Sequence, residues 1–223
     1  GWSLKELHRR IMLSESYQLS SSAPASVTSD DPENIFVARY PRRRLDTEAI
    51  RDAMLAVSGE LDRSQGGAHP MPPWYQNRFS LNNPFHLEPS TNRRSVYLLT
   101  QRLFRHSILD HFDGPDRNSS TSNRRTSNVP AQALFLMNSS FVREQSEALA
   151  AWLEVIDDDA TRIASVFLSA FGREPQADEL ASLQDFLQQY RDAQTDAVAS
   201  LPSAELVALS RAILTSNEFF FID

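Results

Sequence analysis

Residues 130–172, PAQALFLMNSSFVREQSEALAAWLEVIDDDATRIASVFLSAFG, decide the fold class. Pro130 stands where a helix tolerates proline best, in the first turn, so AQALFLMN reads as helix from that point. A second helix is expected from about Ser140 to Leu153. The acidic run Asp157 to Asp159 supplies a cap for a third, TRIASVFLSAFG, which stops at Gly172. Beyond the short Gly172–Gln176 link, Ala177 to Tyr190 form another amphipathic helix, expected to pair antiparallel with its predecessor. Ser203 is placed to cap a last helix running to about Thr215. The expected class is therefore mainly α: an irregular multi-helix domain with long loops and a C-terminal helical bundle.

The first half is less regular. SLKELHRRIML (3–13) sets Leu4, Leu7, Ile11 and His8 on one helix face behind a Ser3 cap. Residues 20–34, rich in Ser, Pro, Ala and Asp, read as an exposed loop. Asp46 is expected to cap a helix over 47–58, with Ile50, Ala53, Met54 and Val57 inward and Gly59 ending it. Residues 62–92 hold two glycines, five prolines and the aromatics Trp74, Tyr75, Phe79 and Phe85. So long an irregular stretch inside a domain is unusual and often functional. RSVYLLTQRLFR (94–105) suits a buried helix or strand, and 107–129 begin as a helical turn before a polar loop. The expected division is 1–129, helices with long loops, and 130–223, all-helical, joined in one continuous domain.

Three segments echo one another: RIMLSESY (10–17), FLMNSSF (135–141) and AILTSNEF (212–219). Each reads as a helix stop in which Ser or Asn satisfies loose backbone groups and an aromatic closes the core. Their irregular spacing gives no basis for a duplicated unit.

Composition excludes several classes. A chain of 223 residues with 13 Phe and 3 Trp has enough to bury, so disorder throughout is ruled out. No run of eighteen apolar residues is present. Through Pro130 there are 17 basic against 14 acidic residues, and thereafter 5 against 15, so the halves carry +3 and −10. An acidic second half argues against a protein wrapped in nucleic acid. Cysteine is absent, which excludes disulfides, thiolate metal sites, cysteine nucleophiles and covalently attached c-type haem in this stretch. Gly1 leads straight into an amphipathic helix without a basic start and apolar signal core, so either a targeting segment has been removed or the chain is a fragment of a larger protein, and the helix-like Trp2 to Leu13 favours the fragment.

Polar functionality is densest from Asn92 to Arg125. Asp113, Asp116 and Asn118 can converge in a turn signalled by Asp113-Gly-Pro-Asp116, with Arg93, Arg94, Arg124 and Arg125 reaching them or holding an anion; Tyr97 belongs to the same cluster. Three readings stand: a structural latch of Arg–Asp pairs, a binding surface for an anionic or sugar ligand, and a catalytic site. On the latch reading, removing Asp116 or Arg124 strands a buried partner and strongly destabilises the fold. The same oxygens could serve calcium but lack the twelve-residue loop with a terminal Glu. His8, His69, His86, His106 and His111 show no helical zinc spacing, so no metal site is assigned. There is no GxSxG elbow, GxGxxG or phosphate loop. Trp74, Tyr75, Phe79 and Phe85 are either a sugar-stacking platform or pins that hold their loop to the core.

The blocks NRRSVY (92–97), FDGPDRN (112–118) and VPAQALFLMNSSFVREQ (129–145) resemble a known family. So do GWSLKELHRRIMLSESYQLSS at the start, RRRLDTEAIRDAMLAVSGELD (42–62), FGREPQADEL (171–180) and the closing ILTSNEFFFID. The resemblance, over essentially the whole chain, is to the C-terminal domain of unknown function 1553 (PSD1-like) of large planctomycete-type proteins that carry a cytochrome-c-like domain. It implies an exported multidomain protein of the periplasm, envelope or exterior, associated with polysaccharide breakdown, whose haem sits in another domain; no cofactor is expected in this chain. It carries no established catalytic residue. The matching positions are Arg93, Arg94, Tyr97, Asp113, Asp116, Asn118, Arg124, Pro130, Gln132 and Asn138. Some members have a cysteine where this chain has Thr121, so a redox role of that residue would be missing here.

The leading expectation is a non-catalytic structural or docking module of such a protein, with other domains of the same polypeptide, and polysaccharide, as partners and no membrane insertion by this segment. The alternatives are a glycan hydrolase or lyase with a site between 62–92 and 113–125, and a carbohydrate-binding module.

Overall fold

The structure, a computed structural model, describes residues 1–67, 91–98, 100, 106–116, 118–120, 122–124, 126–194 and 202–222. The chain forms two compact units, residues 1–45 with 220–223, and residues 46–219. The mainly helical expectation holds: the sheet among the described residues is a single two-stranded ribbon.

In the larger unit, α3 (Thr47–Val57) and α4 (Ser107–His111) precede a run of helices α5 (Pro130–Asn138), α6 (Ser140–Glu154), α7 (Asp159–Phe171), α8 (Ala177–Ala193) and α9 (Ala204–Leu214). The most extensive packing is α6 on α9. Val142, Leu149, Ala150 and Leu153 recur at helical spacing along one side of α6, and Leu206, Leu209, Ile213 and Leu214 do so on α9; all are buried. Ile50, Met54 and Leu55 from α3, Ile163, Val166 and Phe167 from α7, and Leu187 from α8 join the same core.

Local signals set most helix ends. Pro130 occupies the first turn of α5. The Asp158 carboxylate accepts the backbone N–H of Thr161 and caps α7, and that bond holds its pKa below the ordinary value. Gly172 ends α7 at φ 71°, and Gly59 follows α3 at φ 82°, conformations that cost glycine least. Gln176 and Glu179 form a capping box at the start of α8. The three echoed stops share one device: a side chain donates to a carbonyl of the last turn. Ser14 donates to Ile11 (2.7 Å), Asn138 to Leu134 (2.9 Å) and Thr215 to Arg211 (2.7 Å). The aromatic half of the expectation holds at buried Phe219, whereas Tyr17 is exposed.

Several expectations are corrected. Asp46 and Ser203 occupy N-cap positions but make no side-chain cap bond. The Asp46 carboxylate lies 4.0 Å from Arg124, and the Ser203 hydroxyl donates to Glu154 (3.0 Å). At Ser203 a tertiary partner outcompetes the local N–H groups. The buried face of α3 is rotated from the expected one: Thr47, Ile50, Arg51, Met54 and Leu55 are buried, while Ala53 and Val57 are half-buried. Within 20–34 the chain forms a short helix, α2 (Ala25–Asp30). Of 94–105, Ser95–Tyr97 form one 3-10 turn, and residues 99 and 101–105 lie outside the described residues.

The smaller unit contains α1 (Leu4–Met12), α2 and the ribbon of β1 (Arg43–Arg44) with β2 (Phe221–Ile222), antiparallel with Arg43 opposite Ile222. Leu45 N–H donates to Phe220 O (2.8 Å), and the Arg42 guanidinium lies 4.9 Å over the Phe221 ring. Tyr17 meets Tyr40 edge-on at 5.6 Å.

Two arginine-centred networks brace the helical end of the larger unit. Arg173 donates to both Glu179 oxygens (2.8 and 2.7 Å) and both Glu218 oxygens (2.8 and 2.9 Å), over the rings of Phe167 and Phe171. Arg191 holds Asp159 (2.7 and 3.0 Å) and Glu205 (3.2 Å), joining the end of α8 to the starts of α7 and α9. The Arg173 hydrogen bonds depress the Glu179 pKa from 4.5 to about 2. A carboxylate with a lowered folded-state pKa stabilises fully above its unfolded value and loses that contribution as pH falls toward the folded one. The melting-temperature gap between wild type and Glu179→Gln is therefore expected to be widest above about pH 5 and to close toward pH 2. Melts across that range test it, and a gap independent of pH would refute the assignment.

Candidate functional site

The start of α3 anchors part of the polar stretch 92–127, and its Arg51 is deeply placed, 3% exposed. One turn from Thr47 and one from Leu55, it occupies a core position of an amphipathic helix. Its guanidinium donates to Arg93 O (2.9 Å), to Thr91 O and to the Ser95 hydroxyl (3.2 Å). The neighbouring Asp52 carboxylate accepts the Ser95 N–H (2.8 Å) and hydroxyl (2.7 Å) and lies 3.6 Å from Arg51. Arg51 and Asp52 thus clamp residues 91–95 on α3 from both sides. The buried Thr47 hydroxyl adds a bond to Ile108 O (3.2 Å), tying α3 to α4. At the other end of α3, Ser58 donates to buried Gln145 of α6 (2.6 Å).

Asp113 follows α4 in the left-handed region at φ 57°, which Asp tolerates better than most residues. Its carboxylate accepts the N–H of Ser127 (2.6 Å) and the Ser127 hydroxyl (2.8 Å), and Gln132 on α5 donates to Ser127 O (3.2 Å). The turn is therefore tied to the start of α5. Gly114 is required by contact: a Cβ there would stand 2.4 Å from Leu109 O. Its N–H also donates to that oxygen (2.7 Å).

The remaining expected residues are dispersed. Asp116 is exposed and accepts from Asn118 N–H (3.0 Å) and the Ser119 hydroxyl (2.9 Å). Arg124, 37% exposed at its side chain, forms a paired contact with Glu48, one arm at 2.9 Å. Those bonds raise its pKa further. Arg93 donates to Gly66 O and lies 5.0 Å over the half-buried Tyr97 ring. Arg94 is exposed before the 3-10 turn. Arg125 and the aromatics Trp74, Tyr75, Phe79 and Phe85 lie outside the described residues, as do His69 and His86. Asp113, Asp116 and Arg124 each go to a different partner, and the carboxylate bonded to Arg124, Glu48, comes from α3. The His111 ring packs on Phe135 at 4.9 Å. Among the described residues no group of three His, Cys, Asp or Glu is gathered to hold a metal ion. None of their helices is long and apolar enough to cross a membrane.

Sequence reasoning missed Arg51, Asp52 and Ser127. The signal for Arg51 was present: it falls on the apolar face set by Thr47, Ile50, Met54 and Leu55.

The architecture defines the class, a helical domain with a ribbon-bearing N-terminal unit and polar loops tied to its third helix. Residues 1–187 match the family model PSD1, a protein of unknown function (DUF1553), and the chain belongs to that family. No curated protein and no solved structure matches it.

Truncating Arg51 leaves two carbonyls and a hydroxyl without their buried donor. Arg51→Ala is expected to cost about 3–5 kcal/mol, against about 0–1 kcal/mol for the half-exposed Arg124→Ala pair. Denaturant melts check the ranking, and equal losses would refute it. Gly114→Ala is expected to cost about 1–3 kcal/mol by overpacking, where Asp116→Ala falls within about 0.5 kcal/mol of wild type.

Proposed function

We propose that this chain is a non-catalytic structural and docking module of an exported, extracytoplasmic multidomain protein linked to polysaccharide processing. The observation that carries docking is α1. Every one of its residues is exposed, including Leu4 (69%), Leu7 (52%), Ile11 (46%) and Met12 (56%). An amphipathic helix with no buried residue gains nothing from its apolar face until another surface covers it. The polar clusters described above support the same reading: Asp113, Arg51, Asp52 and Arg124 are engaged in ties within the fold. The docking partner on this reading is another domain of the same polypeptide, as expected for the planctomycete-type, cytochrome-c-associated proteins that the sequence resembles.

Hydrogen exchange tests it. In residues 1–223 alone the α1 amides are expected to exchange fast, and in the longer polypeptide from the same gene at least roughly a hundredfold more slowly. Leu7→Asp is expected to leave the melting of the isolated chain unchanged and to remove that protection. Equally fast exchange in both contexts would overturn the docking reading.

A further inference from the structure

The edges of α1 point to the chemistry of its partner. At about 100° per residue, Leu7, Ile11, Leu4, His8 and Met12 follow one another around an arc of about 140°. Lys5 borders that arc beside Met12, and Arg10 borders it beside Leu7, so both edges of the apolar stripe are cationic. The carboxylate of α1, Glu6, lies on the far side with Arg9. Its ion pair with Arg10 (3.1 Å) joins side chains 51% and 77% exposed, a contact too weak to hold Arg10 from a better partner. Leu4, Leu7 and Ile11 stand at i, i+3 and i+7, the spacing of a helix-pairing seam.

We infer that α1 is one half of a helix pair whose other half is an amphipathic helix with an apolar stripe edged on both sides by carboxylates. This rests on the docking reading above and names the partner's chemistry. Long aliphatic stems lie along an apolar seam while their charged ends reach outward, so Lys5 and Arg10 meet whatever borders the partner's stripe. Complementary edge charges select partners in paired helices. Two other occupants fit less well. A second copy of α1 brings cationic edge to cationic edge whether the helices run parallel or antiparallel. An anionic bilayer also attracts the cationic edges of α1, but it presents no carboxylate-edged seam against which Leu4, Leu7 and Ile11 can interlock.

Two synthetic helical peptides with the same leucine seam, one edged by glutamate and the other by lysine, provide the probe. Titrated against residues 1–223 in a calorimeter, the glutamate-edged peptide is expected to bind at least tenfold tighter. Lys5→Glu with Arg10→Glu reverses that order, and Leu7→Asp abolishes binding of both while the circular-dichroism melt stays that of wild type. Equal affinity for the two peptides overturns the acidic-edged partner and leaves the docking reading standing. Binding of neither peptide overturns the acidic-edged partner, and equally fast α1 exchange in the longer polypeptide overturns the docking reading as well. Protection of α1 by phosphatidylglycerol vesicles, or by raising the concentration of the chain alone, without peptide preference, overturns the inference in favour of a lipid surface or a second copy.

Discussion

The larger unit depends on the apolar contact between α6 and α9. Both helices place small or branched aliphatic side chains at helical spacing, and Val142, Leu149, Leu153, Leu209 and Leu214 are fully enclosed. Once that seam is closed, α3, α7 and α8 each have a surface on which to lay one apolar side. Area removed from water supplies the driving force, and it is indifferent to direction. Something else must decide which helix ends meet.

Hydrogen-bonded ion pairs supply that direction. Arg173 and Arg191 each serve two acidic side chains from separate elements, so the α7–α8 turn, the end of α8, the start of α9 and Glu218 are held in one arrangement. These pairs are partly wet, and their contribution is better read as fixing geometry than as bulk stability. Arg51 is different in kind. Its charge is buried and its hydrogen bonds go largely to backbone oxygens, so the segment 91–95 is specified by groups that no substitution in that segment can remove. The polar density of the sequence between Asn92 and Arg125 is thereby partly accounted for as support, with α3 as the beam to which the loops are fastened.

The smaller unit follows another economy. Asp31 folds its carboxylate back onto the N–H groups of Ile35 and Phe36 (both 2.8 Å), and Asn34 exchanges bonds with Arg39. That rigid loop turns Ile35, Phe36 and Val37 outward, and α1 does the same with its leucines. Apolar side chains held outward by an ordered backbone are preorganised for contact, because little ordering entropy remains to be lost on binding. The docking proposal draws on this exposure of apolar side chains.

The sequence by itself determined the helical class, the positions of α3 and α5 to α9, and many of their ends, since Pro130, Asp158, Gly59 and Gly172 act through their own backbone within a turn. It also exposed the amphipathic pattern of α1, because periodicity is a local property. What only the tertiary structure decided is partnership. Arg51 finds carbonyls some forty residues away, Arg173 finds Glu218, and Arg124 finds Glu48 across the chain. Asp46 and Ser203 have the chemistry of helix caps, yet they lie against Arg124 and bond to Glu154. A side chain's type states which bonds it can make, whereas the choice among equivalent partners rests on which of them packing brings within 3 Å.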